Sequence, residues 1–126
     1  DKVAALIIID ECLMMTWEES KGLFLFPGGK REPGEKDLQC LRRELKEELD
    51  VRIKKATYYK DYMGEYKGKA VHITCYLVEL AGKPKPREKI TYLAYVKTSD
   101  YDTLQDRMLP ITHAVIKNLA ADGLIE

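Results

Sequence analysis

The residues best suited to do chemistry lie between positions 43 and 48, where Arg43, Glu44, Glu47 and Glu48 follow one another within a helical pattern. Leu38, Leu41, Leu45 and Leu49 recur at intervals of three and four, which predicts a helix over Glu35–Leu49 with the leucines on one face. At about 100° per residue, Arg42, Arg43 and Lys46 run round one flank, and Glu44, Glu47 and Glu48 occupy the other in an arc about 100° wide. Carboxylates three or four apart destabilise a helix by roughly 0.2–0.5 kcal/mol per pair. Glu47, Glu48 and Asp50 also crowd the C-terminal end, where the helix dipole favours cations. Helix stability alone selects against this arrangement. A divalent cation reverses the argument, because hard oxygen donors gathered on one face are what Mg²⁺ or Mn²⁺ binds. The competing reading of the helix by itself is a solvated charged face, with Arg43 pairing to Glu47.

Such a helix needs elements that hold it and a loop that faces it. Leu23–Phe26 reads as a short strand stopped by Pro27-Gly28-Gly29, whose glycines permit positive φ and let backbone carbonyls approach a ligand or metal. Pro33-Gly34 marks another turn before the helix. Upstream, Val3–Ile9 is a buried strand and Cys12–Trp17 a second, with Glu18–Gly22 a polar loop. Downstream, the Tyr, Val, Ile and Thr content predicts strands over Val51–Met63, Ala70–Leu80 and Ile90–Lys97. Gly64–Lys69 is the expected hairpin turn, and Ala81–Lys89, with Pro84 and Pro86, a loop. Pro110 opens a final amphipathic helix through Ile111, Val115 and Leu119, which Gly123 closes. The expected fold class is α/β (α+β), a mixed sheet with helices packed on it. No repeat or linker interrupts the 126 residues, which read as one domain over 1–126.

Composition narrows the function classes. The 21 basic and 21 acidic residues cancel, which excludes the basic footprint of a protein bound to a nucleic acid polymer. Any charge with a function must be arranged locally. The longest apolar run, Val3–Ile9, is far too short to span a bilayer, so no membrane partner is expected. Cys12, Cys40 and Cys75 form an odd, widely spaced set without a CxxC pattern, which argues against disulfides or zinc and for a reducing, cytoplasmic setting.

Taken together, Gly29, five residues, Glu35, seven residues, then Arg43-Glu44-Leu45-Lys46-Glu47-Glu48-Leu49-Asp50-Val51 resembles the Nudix box. Six of its seven specified polar or glycine positions match, and Leu45 and Val51 fill both apolar ones. Asp50 departs, standing where the box has a glycine that closes the helix in a left-handed conformation, which Asp tolerates better than most residues. The order of elements around the box also resembles the whole Nudix fold, an α/β/α sandwich with a mixed sheet.

The resemblance implies hydrolysis of nucleoside diphosphate-linked substrates with Mg²⁺ or Mn²⁺ and water. Carried over by position, Glu47 and Glu48 are the main metal ligands, joined by the Gly28 carbonyl and by Glu44. Glu44 either holds metal or takes the proton from water, with Arg43 orienting it. Glu35 supports the loop and helix. Many relatives place another carboxylate on the loop before the last strand, and Glu88 is the acidic residue available there. It is a catalytic candidate whose competing reading is a solvated loop charge. Lys83, Lys85, Arg87 and Lys89 around it read as a solvated basic loop, with phosphate contact as the other reading.

Phe26-Pro27-Gly28-Gly29-Lys30 and the ending Leu109–Ile116 look most like the MutT-type nucleoside triphosphate pyrophosphohydrolases, which release a nucleoside monophosphate and pyrophosphate. Phe26, Gly28, Gly29 and Thr112 are the expected substrate-binding positions. The MutT pattern has an Asn near Thr112 and often an Arg near Thr16 or Trp17; neither is here, so the reaction carries over and a preference for oxidised guanine does not. ADP-ribose hydrolases of the family show a Pro some distance after the box, where Val51–Ala70 has none. Dinucleoside polyphosphate hydrolases show a Tyr there, and Tyr66 roughly fits. A non-catalytic nucleotide-binding module stays open as a different class of function, as does a homodimer, which members of the family often form.

Overall fold

The computed structural model describes every residue from Asp1 to Glu126. In chain order the elements are β1 (Lys2–Ile9), β2 (Cys12–Glu18), β3 (Leu23–Leu25), β4 (Gly28–Gly29), α1 (Asp37–Leu49), β5 (Arg52–Tyr66), β6 (Lys69–Ala81), β7 (Ile90–Val96), α2 (Thr98–Leu104) and α3 (Pro110–Ala121). They make a mixed sheet with three helices, and β1 is its organiser. The first half of β1 pairs parallel with β6, Lys2 to Ile73 through Leu6 to Leu77. On its other edge, Val3 and Ala4 pair antiparallel with Gly29 and Gly28. The second half pairs with β2, Ile7 to Met14 through Ile9 to Cys12. Further along β2, β3 takes over at Thr16, Trp17 and Glu18. The far edge of β2 carries β7. The strands diverge where β1 exchanges β2 for β4, and that divergence opens a cleft.

Alternation along β1 assigns the two faces. Val3, Ala5 and Ile7 pack with Cys40, Leu41, Leu45 and Leu49 of α1. Ala4 and Leu6 pack with Ile111, Val115, Ile116 and Leu119 of α3. Helices therefore cover opposite sides of the sheet, as in an α/β/α sandwich. All three cysteines are free, and no helix is long and apolar enough to cross a membrane.

Some boundaries differ from the sequence expectations, each for a local reason. The helix begins at Asp37, because Glu35 closes the Pro33-Gly34 turn with its N–H on the Glu32 carbonyl at 2.9 Å. Gln39 then accepts the Lys36 N–H at 2.8 Å, serving the first turn. Leu38, placed at the centre of the leucine face, is 36% exposed, and the buried face runs through Cys40, Leu41, Leu45, Glu48 and Leu49. The hairpin turn shrinks to Lys67 and Gly68, both at positive φ as a two-residue turn requires, so β5 continues through Gly64 to Tyr66. Strand β2 extends to Glu18, which the sequence assigned to a loop. The short helix α2 was not anticipated; it buries none of its residues and has no apolar stripe to announce it.

Candidate active site

The carboxylates of α1 sit under the Gly28-Gly29 strand. Gly28 has φ +135°, and a Cβ there would lie 2.1 Å from the Val3 carbonyl oxygen, so the pairing of β4 on β1 demands glycine. A Cβ on Gly29 would lie 2.6 Å from Cδ of Glu44, so this second glycine makes room for a carboxylate. The C-terminal end of α1 is completed by Asp50 at φ 49° and ψ 47°, its N–H on the Lys46 carbonyl at 3.1 Å. Asp50 therefore performs the left-handed closure that a glycine would otherwise provide.

Glu48 is 6% exposed and accepts the Gly28 N–H at 3.0 Å. Burial pushes its carboxyl up to about 7; the Gly28 N–H and Lys89 oppose the rise, and Glu44 and Glu18 add to it. Glu44 is half-buried and held by Nη1 of Arg43 at 2.7 Å. Glu47 is exposed, its carboxylate 3.7 Å from the same nitrogen. Arg43 is also the brace of the preceding loop. It donates to both oxygens of Glu35 at 2.8 and 2.9 Å and to the Lys30 carbonyl at 3.0 Å, and pairs with Glu32 at 2.9 Å. The guanidinium holds the Glu35 carboxyl down at about 2.

No trio of His, Cys, Asp or Glu side chains closes into a finished metal cage. The donor set nevertheless fits a hard divalent cation. Glu47 and Glu48 stand three and four residues after Glu44 on one helix, and the exposed Glu47 side chain is free of the tight packing that holds Glu48. The buried acid Glu48 has a single hydrogen-bond donor, and its nearest charged neighbour on α1 is another acid.

The cleft beside Glu48 encloses about 190 Å³. It is lined by Val3, Ala4, Phe26, Gly28 and Gly29, by Thr16, Leu23, Leu25 and Ile90, and by Tyr66, Val71, Ile73 and Leu109. Three charged residues not singled out from sequence also line it, Lys2, Glu18 and Lys21, together with Lys89 of the basic loop. Glu18 is 3% exposed, at a register shift between β2 and β7 that re-aims the strand end. Its carboxylate lies 3.6 Å from the Lys21 ammonium and 3.7 Å from that of Lys89. The signal for Glu18 in the sequence was its inward register with Met14 and Thr16; Lys2 and Lys21 carried none, because only the fold brings them into the cleft.

The cleft thus gathers Phe26, Gly28, Gly29 and Glu48 of the expected residues, with Glu44 directly beneath Gly29. It does not gather all of them. Thr112 is 1% exposed inside the first turn of α3, its N–H on the Leu109 carbonyl, and it is Leu109 that reaches the cleft wall. Glu88 is exposed at φ 55° and lies outside the lining. Its neighbours are the anchored ones: the Arg87 N–H donates to the Glu48 carbonyl at 2.9 Å, and Lys89 enters the cleft.

Comparison with known proteins agrees with this geometry. The NUDIX domain family model matches residues 1–119. An 8-oxo-dGTP diphosphatase of Haemophilus influenzae is 42% identical over 64 residues, 50% of this chain and 47% of that protein. A CTP pyrophosphohydrolase of Escherichia coli is 35% identical over 75 residues, 56% of each chain. The chain thus matches about half the length of these curated relatives. A solved MutT structure, from work on the enzymes of Aliivibrio salmonicida and Vibrio cholerae, superposes with a TM-score of 0.75 at 26% identity, covering 95% of this chain and 94% of that one. With its glycine strand, its braced glutamates and a family match over nearly its whole length, the chain belongs to the NUDIX domain family, on the MutT-like side.

Proposed function

We propose that this chain is a divalent-cation-dependent hydrolase of nucleoside triphosphates, releasing a nucleoside monophosphate and pyrophosphate. The carrying observation is Glu48: a buried acid beside Glu44, opening on a cleft that three lysines also line. An unneutralised carboxylate in that position is costly, and a bound cation removes the cost. The names of the curated relatives, a diphosphatase and a pyrophosphohydrolase of nucleotides, support the same substrate class.

Glu47, Glu48, Glu44 and the Gly28 carbonyl would hold Mg²⁺, with Mn²⁺ serving in its place. Bound there, the ion neutralises phosphate charge and makes phosphorus more electrophilic. Arg43 keeps Glu44 oriented, and Glu35 keeps Arg43 in place. Phe26 and Gly29 form the wall along which the nucleotide lies, and Thr112 sets the turn that presents Leu109. Glu44 and Glu88 are the two candidates for taking the proton from the attacking water. Glu44→Gln and Glu88→Gln separate them, since loss of the base removes the alkaline-rising limb of the pH–rate profile and the other substitution leaves it. The free thiols are consistent with residence in the cytoplasm.

The test is a product assay with Mg²⁺ over ordinary and oxidised (d)NTPs, ADP-ribose and a dinucleoside tetraphosphate. Monophosphate and pyrophosphate from a triphosphate is the expected result. Turnover of the tetraphosphate alone supports a second reading, which Tyr66 in the cleft wall favours. Tight nucleotide binding without any turnover replaces the enzyme by a sensor.

A further inference from the structure

We propose that Lys2 selects the base of the substrate, donating hydrogen bonds to a ring carbonyl oxygen, so that bases bearing a carbonyl are preferred over adenine. This deepens the nucleotide reading above and rests on it. Alternation along β1 places Lys2 on the face of Ala4 and Leu6, the side on which Phe26, Val71, Ile73 and Leu109 form an apolar wall of the cleft. Lys2 is half-buried there and takes part in no ion pair, whereas Lys21 and Lys89 each lie within 4 Å of Glu18. Burial lowers its affinity for a proton, and Lys21, Lys89 and Lys30 lower it further, with only Glu18 acting the other way.

The chemistry of the missing partner follows from the donor. An ammonium offers three donors and no acceptor, so only an acceptor satisfies it. The phosphate-binding work has other residues for it: the glutamate end of the cleft for the cation, and the exposed ammoniums of Lys21 and Lys89 for the anionic chain. The apolar wall beside Lys2 suits the face of one ring system. Guanine presents O6 and N7 and thymine O4 as acceptors, while adenine sets an N6 donor beside N7 and has no carbonyl. A lysine head facing the base edge thus discriminates against adenine by leaving two donors opposed.

The experiment measures kcat/KM for GTP, CTP, UTP and ATP with Mg²⁺ in the wild type, Lys2→Met and Lys2→Arg. In parallel, GMP, CMP, UMP and AMP are titrated calorimetrically. The expected result is a wild-type preference for at least one carbonyl-bearing base over adenine. In Lys2→Met the ratio of that substrate to ATP falls about 10- to 100-fold, mainly through KM, and Lys2→Arg restores part of it. The same proportional loss on all four triphosphates makes Lys2 a phosphate ligand and overturns the proposal, as does an unchanged ratio. The monophosphate titrations separate the two claims. A base preference lost in Lys2→Met upholds the role of Lys2 even where no triphosphate is cleaved, in which case only the reaction assignment fails. Equal binding of all four monophosphates by the wild type overturns the role of Lys2 whatever the turnover. Thermal melts of the variants close to that of the wild type confirm that the fold is intact, as expected for a side chain with no ion pair to lose.

Discussion

Glu48→Gln should make the metal-free protein more stable at alkaline pH. The carboxyl titrates at about 7 in the folded chain, against about 4.3 when unfolded. At 1.36 kcal/mol per unit, ionised Glu48 costs the fold about 3–4 kcal/mol. The folded state binds its proton more tightly than the unfolded state, so the cost is absent below pH 4. It grows as pH rises through the interval to 7 and is constant above it. The carboxyls that are held low, Glu35 at about 2 together with Asp37, Asp50 and Asp61, act in the opposite sense and only under acidic conditions. The window from pH 5 to 8 therefore isolates Glu48. A glutamine keeps an acceptor for the Gly28 N–H but brings an amide with no partner, which takes back about 1 kcal/mol. The net gain at pH 8 is about 2 kcal/mol, or roughly 6–8 °C in Tm for a domain of this size. Urea unfolding in EDTA, at half-unit steps of pH, measures it for both proteins. Adding Mg²⁺ should then stabilise the wild type and leave the variant nearly unmoved. Parallel pH profiles for the two proteins would refute the argument, because they would mean that Glu48 is not ionised against its surroundings.

The two glycines of β4 should fail differently. Gly28→Ala drives a Cβ against the Val3 carbonyl at 2.1 Å and should cost more than about 3 kcal/mol or abolish soluble expression. Gly29→Ala meets only the end of the Glu44 side chain and should keep the fold while turnover collapses; similar melts for both variants would contradict this. Arg43→Ala removes the brace between α1 and the preceding loop. Limited trypsin digestion should then cut first at Lys30 or Arg31, with Tm about 5 °C lower and Arg43→Lys intermediate, whereas an unchanged cleavage pattern would remove Arg43 as the brace. Asp50→Gly relaxes the left-handed helix closure and surrenders the exposed pairs with Lys46 and, at 3.8 Å, Arg87, so Tm should rise by about 2 °C; a fall would show that the Arg87 pair holds the following loop.

The box helix and its glycines were legible in the sequence because their constraints are local. Glu44, Glu47 and Glu48 are neighbours on any helix, and Gly28-Gly29 ends a strand wherever that strand lies. The strands were legible from β-branched and aromatic content, and their boundaries moved only where a turn or register decided them, as at Lys67-Gly68. The other half of the site was not readable, because it is made by topology. Lys2 opens β1, Lys21 precedes β3 and Lys89 precedes β7, and nothing in their spacing says that these ends meet. Glu88 and Lys89 show the same limit at the scale of one residue. The sequence offered the acid, and the left-handed turn at Glu88 leaves it exposed while Lys89 enters the cleft.

A chain of zero net charge has thus gathered two sets of charges of opposite sign at one cleft. Glu44, Glu47 and Glu48 of α1 are the first, with Glu48 in the cleft lining; Lys2, Lys21 and Lys89, with Glu18 among them, are the second. Each set holds one unfavourable member: an acid buried without a basic partner in the first, an unpaired half-buried ammonium in the second. Surface charges elsewhere in the chain stand in solvent or in exposed pairs such as Lys46 with Asp50 and Lys97 with Glu126, and show no such tension. A ligand that relieves both Glu48 and Lys2 at once must carry a divalent cation on a polyanionic segment and an acceptor-bearing group at a fixed distance from it. Metal-chelated nucleoside triphosphates have that composition, and inorganic polyphosphate does not. Glu48 and Lys2 should therefore be coupled. Substituting Lys2 should weaken Mg²⁺-nucleotide far more than Mg²⁺-pyrophosphate, and equal weakening of both would mean that the cleft reads charge alone.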